Sequence, residues 1–125
     1  MTARRLLVDG MNVIGSKPDG WWRDRPGAMR ALTERLEAHA ADTGDEVTVV
    51  FDGRPFEIDA GERVRVMFAS RRGPNAADDD IADLVAGDDA PETLTVVTSD
   101  SDLADRVTER GAEVVPAGRF RRELG

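Results

Sequence analysis

The stretch Arg5-Leu6-Leu7-Val8-Asp9-Gly10-Met11-Asn12-Val13-Ile14-Gly15 decides how the rest of the chain is read. Arg5 to Asp9 is a short apolar run closing on a carboxylate, the pattern of a buried strand. Gly10 permits a tight turn directly after it, and Asn12 brings a neutral amide back toward Asp9. An Asn/Gly turn by itself would account for the same residues. Gly10 and Gly15 have the spacing of a phosphate loop. Ser16 and Lys17, however, stand in the reverse of the Lys–Ser/Thr order that a nucleotide-triphosphate loop needs, so that reading fails.

Outward from this segment, β-branched runs alternate with amphipathic stretches. Pro26 to about Ala41 predicts a helix with Met29, Leu32 and Leu36 on its apolar stripe, Pro26 in the first turn and Gly44 at the end. Val47–Phe51 and Arg63–Phe68 predict strands, and Ala76 to about Val85 a helix. Thr93–Thr98 predicts the next strand, Asp102–Arg110 a helix stopped by Gly111, and Glu113–Val115 a last short strand. Strands alternating with helices predict a three-layer α/β/α sandwich with a mainly parallel sheet, Rossmann-like in class. Gly15–Pro26 and Gly53–Glu62 read as loops. Residues 1–118 read as a single domain, and 119–125 as an Arg-rich, poorly ordered tail.

Composition narrows the chemistry. The 125 residues suffice for one core. With no cysteine there is no disulfide, thiolate nucleophile or iron–sulfur ligation. The single histidine, His39, leaves no room for a His-based triad or His-rich metal site, and it reads as structural or surface. Nothing resembles a signal-peptide core or a membrane span, which leads to the expectation of a soluble, cytoplasmic domain without a membrane partner. The net charge of −8 argues at first against nucleic acid. Any acid–base or metal chemistry must therefore come from carboxylates.

Those carboxylates fall at particular places. Asp9 and Asp52 end strands, Asp100 and Asp102 follow the Leu94–Thr98 strand, and Asp78, Asp79 and Asp80 lie in the first turn of a helix. In an open parallel sheet all of these positions lie beyond the carboxyl edge, where ligands bind. Each acid could simply cap a helix or complement its dipole. Together they repel, and a divalent ion bound through oxygen, Mg²⁺ or Mn²⁺, resolves that repulsion. These acids also account for most of the excess negative charge.

The segments Leu7–Gly15, Val49-Val50-Phe51-Asp52-Gly53, Ala77-Asp78-Asp79-Asp80-Ile81-Ala82-Asp83 and Thr98-Ser99-Asp100-Ser101-Asp102, in this order, resemble the NYN branch of the PIN-like nucleases, in particular its YacP-like group. The resemblance implies a PIN-like fold and Mg²⁺- or Mn²⁺-dependent hydrolysis of phosphodiester bonds, with RNA, including ribosome-associated mRNA, as the partner. It implies Asp9 as first metal ligand, Asn12 as its polar neighbour, Asp78 as the helix acid, and Asp100 with Asp102 as the closing pair. Asp52 and Asp79 follow as further ligands. Asp80 stands where relatives often carry a larger apolar residue, which leaves the register within Asp78–Asp80 open.

The implied chemistry is in-line attack on phosphorus by metal-activated water, needing no histidine base. For holding RNA, Arg23 and Arg25 in the first loop, Arg54 after Asp52, and Arg71 and Arg72 after the third strand should flank the same edge. Trp21 and Trp22 share that first loop; one could stack on a base while the other anchors the loop. Arg119, Arg121 and Arg122 read as part of the solvated tail. A noncatalytic RNA- or ribosome-binding module and a toxin-type PIN ribonuclease are the competing readings. A phosphotransfer receiver would need a later strand-end lysine, but Lys17 is the sole lysine and comes too early. Oligomeric state is not legible.

Overall fold

A computed structural model describes residues 3–71, 73 and 75–125. Five strands form one sheet: β1 (Arg5–Asp9), β2 (Glu46–Phe51), β3 (Val64–Phe68), β4 (Leu94–Val97) and β5 (Glu113–Val115). Their spatial order is β3-β2-β1-β4-β5, with every pairing parallel. The helices are α1 (Gly10–Gly15), α2 (Arg25–Thr43), α3 (Ala76–Ala86), α4 (Ser101–Thr108) and α5 (Ala117–Leu124). The three-layer expectation holds.

The layering follows from crossover handedness. The chain steps from β1 outward to β2 and β3, then crosses back over β1 to β4 and continues to β5. Right-handed connections in opposite directions place their helices on opposite faces. One core packs α1, α2 and α5, through Val13, Ile14, Leu32, Leu36 and Phe120, onto Leu6, Val8, Val49 and Phe51. The other packs α3 and α4, through Ile81, Val85, Leu103 and Val107, onto Leu7, Val50 and Val96. Alternate strand residues thus serve alternate cores, and the parity continues past the apolar run. Asp9, Asp52 and Thr98 fall on the α3/α4 side.

The second helix shows the expected punctuation. Asp24 accepts a hydrogen bond from the Gly27 N–H at 3.0 Å at its start. Gly44 takes the left-handed conformation (φ 79°) at its end, with its N–H donating to the Ala40 carbonyl. Met29, Leu32 and Leu36 are buried as the stripe predicts. The amino edge of the sheet is closed by ion pairs. Asp45 accepts from the Arg4 backbone N–H and guanidinium, and its Oδ2 lies 2.9 Å from His39 Nε2. His39 packs edge-on against Phe120, so its expected structural reading holds.

Two expectations change. Residues 10–15 form a helix rather than a turn. Gly10 is needed there for space: a Cβ on it would lie 2.5 Å from the buried Phe51 ring and 3.0 Å from Val49. The C-terminal residues are not a disordered tail but helix α5, whose Phe120 is 0% exposed. Arg121, expected in solvent, donates to the Ile14 carbonyl at 3.1 Å and pairs with Asp19 at 2.9 Å. It thereby satisfies the end of α1, whose last carbonyls have no helical partner. The arginine spacing hides an amphipathic helix with Ala117 and Phe120 on its inner side.

Two stability changes follow. Phe120→Ala should cost about 3–5 kcal/mol, read as a lower denaturation midpoint; a solvated tail would show no change. Gly10→Ala should cost about 1–3 kcal/mol by overpacking against Phe51, although alanine is intrinsically the better helix former. Chemical denaturation of the two variants beside the parent checks both.

Candidate metal centre at the carboxyl edge

The order of strands reverses between β1 and β4, and open α/β sheets bind ligands at such a switch point. Asp9 ends β1 there. It is only 4% exposed, an uncommon setting for a carboxylate with no cationic partner among the described residues. Its one hydrogen bond among the described residues comes from the Thr98 hydroxyl, which donates to Oδ2 at 2.9 Å. The same hydroxyl oxygen accepts the Asp100 N–H at 3.1 Å. Thr98 therefore joins the first strand-end acid to the segment carrying the last one.

That segment is fastened from two further directions. Asn12 Oδ1 accepts the Ser99 N–H at 2.8 Å, and Ser99 Oγ accepts the Ala117 N–H at 2.9 Å. Asn12 thus acts through the backbone beside Asp100, and among the described residues it makes no hydrogen bond to Asp9. Thr98 and Ser99 were not among the residues singled out from the sequence. Their signal was available, since a strand with Leu94 and Val96 on one core must put Thr98 on the same face as Asp9.

Burial pushes the Asp9 carboxyl up to about 7, opposed by the Thr98 hydrogen bond and reinforced by the charges of Asp78, Asp52 and Asp100. Burial also raises Asp78 to about 6, with Asp100 and Asp52 adding to it and Arg106 opposing. These four acids, one from each of four segments, share a single electrostatic neighbourhood. Asp52 is held there by accepting the Ala77 N–H at 2.9 Å, which ties β2 to the start of α3. Asp100 caps α4 through the Leu103 N–H at 2.9 Å. Helix capping and site membership coexist in that residue.

Asp78, Asp79 and Asp80 have different surroundings. Asp78 is half-buried and feels the charges of Asp100 and Asp52. Asp79 turns toward α4 and pairs with Arg106 at 2.9 Å. Asp80 accepts both the backbone N–H and the hydroxyl of Ser70, at 2.6 and 2.8 Å, clamping the segment that follows β3. Asp102 is exposed on α4 and is not among the charges that most move Asp9 or Asp78. Asp79, although paired with Arg106, adds its charge to those that raise Asp78.

The donors are all hard oxygens, which suit Mg²⁺ or Mn²⁺. Among the described residues no three acids stand close enough in their present positions to enclose an ion. Mg²⁺ characteristically keeps several waters and takes one or two carboxylates. A hydrated ion bridged by part of this group fits the arrangement better than a closed protein cage would.

Arg23 and Arg25 are exposed around the helical turn Trp21–Arg23, at the end of α2 nearest the carboxyl edge. Arg54 and Arg71 are exposed after β2 and β3, at the same edge. Arg72 lies outside the described residues. Arg30, which the sequence did not single out, sits 4.9 Å over the Phe56 ring and joins α2 to the loop carrying Arg54. Among the described residues no helix is long and apolar enough to cross a membrane.

The YacP-like NYN domain family matches residues 6–125. A crystal structure of a single-substitution mutant of Rae1 (YacP) from Bacillus subtilis matches with a TM-score of 0.78 and 29% identity, over 97% of this chain and 74% of that one. A second crystal structure of Rae1 (YacP) from Bacillus subtilis matches with a TM-score of 0.77 and 28% identity, over 99% and 74%. No curated protein matches. The domain match over nearly the whole chain, on a fold whose strand ends carry the expected acids, places this chain in the YacP-like NYN family, a nuclease-like group.

Proposed function

We propose that this protein is a Mg²⁺- or Mn²⁺-dependent endoribonuclease that hydrolyses RNA phosphodiester bonds at the carboxyl edge of its sheet. The observation that carries this reading is the buried Asp9 at the switch point, sharing its surroundings with Asp52, Asp78 and Asp100 and, among the described residues, paired with no cation. Such a group is electrostatically incomplete. A divalent ion bound there supplies a water of lowered pKa and neutralises charge on the scissile phosphate.

The chain's own residues divide the work. Asp9 and Asp78 are the principal ligands, with Asp100 closing the set and Asp52 holding the start of α3 beside them. Thr98 fixes the direction of the Asp9 carboxylate. Asn12 holds the turn that presents Asp100. Arg54 and Arg71, exposed at the same edge, contact backbone phosphates on either side of the reacting bond. No covalent nucleophile or histidine base is needed, in keeping with a chain lacking cysteine and keeping its one histidine at the opposite edge.

The direct test is incubation of single-stranded and structured RNA and DNA with Mn²⁺, Mg²⁺ or EDTA. RNA cleavage should require the ion and fall at least 100-fold in Asp9→Asn. Cleavage that persists in EDTA or in that variant would overturn the proposal. The same variant should be more stable than the parent without metal, its melting temperature rising by roughly 4 °C or more, because a buried charge is removed while Thr98 keeps its acceptor.

The pH dependence has a definite sign. Asp9 is raised to about 7 in the fold against an ordinary value near 3.8, so the folded state holds the proton more tightly. Without metal, stability should fall as pH rises from about 4 to about 7, and this slope should flatten in Asp9→Asn. Metal binding and cleavage should instead increase as Asp78 and Asp9 lose their protons through about 6 and 7. The midpoint should move to lower pH at higher Mg²⁺, since ion and proton compete. Melting curves and rate–pH profiles at two Mg²⁺ concentrations check this.

A further inference from the structure

The two adjacent tryptophans have different surroundings. Trp21 is half-buried and packs onto the core formed with α2. Trp22 is 53% exposed, the one large hydrophobic side chain so exposed among the described residues. The rings meet edge to face, with centroids 5.9 Å apart and planes at 85°, so the anchored ring braces the exposed one. The turn holding them is bounded by a left-handed Gly20 (φ 87°) and by Asp24, whose carboxylate caps α2. Trp22 is thus presented by a fixed turn and not by a loose loop.

Its electrostatic setting is unlike that of the chain as a whole. Lys17, Arg23 and Arg25 are exposed on the same stretch of chain, and the Arg25 guanidinium lies 5.9 Å from the Trp21 ring centre. Of the neighbouring acids, Asp19 is paired with Arg121, while Asp24 accepts the α2 cap hydrogen bond and keeps its charge. In a protein of net charge −8 this leaves an exposed aromatic ring on a stretch where cations outnumber unpaired acids. Protein interfaces favour exposed aromatics too, but they do not call for a local excess of cations. A stacked base with phosphates to either side satisfies both features at once.

We propose that Trp22 is a stacking platform for an unpaired base of single-stranded RNA, with Arg23 and Arg25 on the flanking phosphates. The substrate is thereby received at the N-terminal end of α2 before it crosses to the acids. This deepens the ribonuclease reading and rests on it. It specifies an unstacked, single-stranded segment as the recognised form, because a base inside a duplex has no free face to offer.

The test is fluorescence anisotropy with labelled RNA in EDTA, so that no cleavage intervenes. The full chain is compared with Trp22→Ala, Trp22→Phe and Arg23→Ala/Arg25→Ala. The probes are a single-stranded oligonucleotide, the same oligonucleotide with abasic positions, and a duplex. Trp22→Ala should weaken single-strand binding about 5- to 150-fold, and Trp22→Phe should recover most of it. Trp22→Ala should leave the melting temperature unchanged, since the ring is not part of the core. The arginine pair should instead lower the salt dependence of binding. On abasic RNA the parent and Trp22→Ala should bind alike. Equal binding of single-stranded RNA by parent and Trp22→Ala would overturn the proposal. So would a loss of the same size on abasic RNA, which would mark a protein-docking or backbone contact. Cleavage by the parent with Mn²⁺ is scored separately. Cleavage without Trp22 dependence sinks the platform alone, and Trp22-dependent binding without cleavage sinks the nuclease reading alone.

Discussion

A carboxylate buried at the end of the central strand is the constraint around which the remaining structure is arranged. Asp9 has a strand on each side, a core beneath it and, among the described residues, a threonine hydroxyl as its one hydrogen-bond donor. Ionised in that position it is costly, and protonated it is useless as a ligand for a hard cation. The surrounding acids increase the cost instead of relieving it. The sheet tolerates this because its stability is supplied elsewhere. Two apolar cores sandwich the strands, and the ion pairs of Arg4, Arg5, Asp45 and Asp88 close the amino edge. One edge is electrostatically complete and the other is left open.

The open edge is held in shape by donors that are neutral. Thr98, Ser99 and Asn12 connect β1, α1, β4 and α5 through short hydrogen bonds made without a cation. A cationic partner would have neutralised Asp9 and lowered its affinity for a proton. Where an arginine does come near, at Arg106, it is occupied by Asp79, and Asp78 keeps its raised affinity for a proton. Neighbouring residues of one helical turn are thus sorted by direction: one toward the site, one toward α4, and one toward the segment after β3.

The strands and the longer helices were legible in the sequence because apolar period and punctuation agreed: Leu6–Val8, the Met29/Leu32/Leu36 stripe, Gly44. The placement of Asp9, Asp52, Asp78 and Asp100 followed from strand ends and topology, and strand parity would also have given Thr98. What the sequence concealed depended on contacts between distant segments. The helix at 10–15 is short, and local propensity cannot distinguish it from a turn when Phe51 and α5 supply its packing. The final helix is concealed by its arginines, whose polarity outweighs Ala117 and Phe120 in any local reading. Asp79 and Asp102 belong to acidic runs that the sequence cannot orient, since direction on a helix is settled by the partner it meets.

Gly10 and Phe51 have a meaning for how such a chain can vary. The phenyl ring fills the volume that a side chain at position 10 would occupy, so the two positions share one allotment of space. A larger residue at 10 becomes tolerable only if 51 shrinks in step, and a smaller residue at 51 leaves a void that Gly10 cannot fill. Because Gly10 directly follows Asp9, that shared volume also sets where α1 can lie and hence the path of the backbone leaving the central carboxylate. Substitution at either position is therefore an event in the history of the site, although neither side chain touches anything chemical.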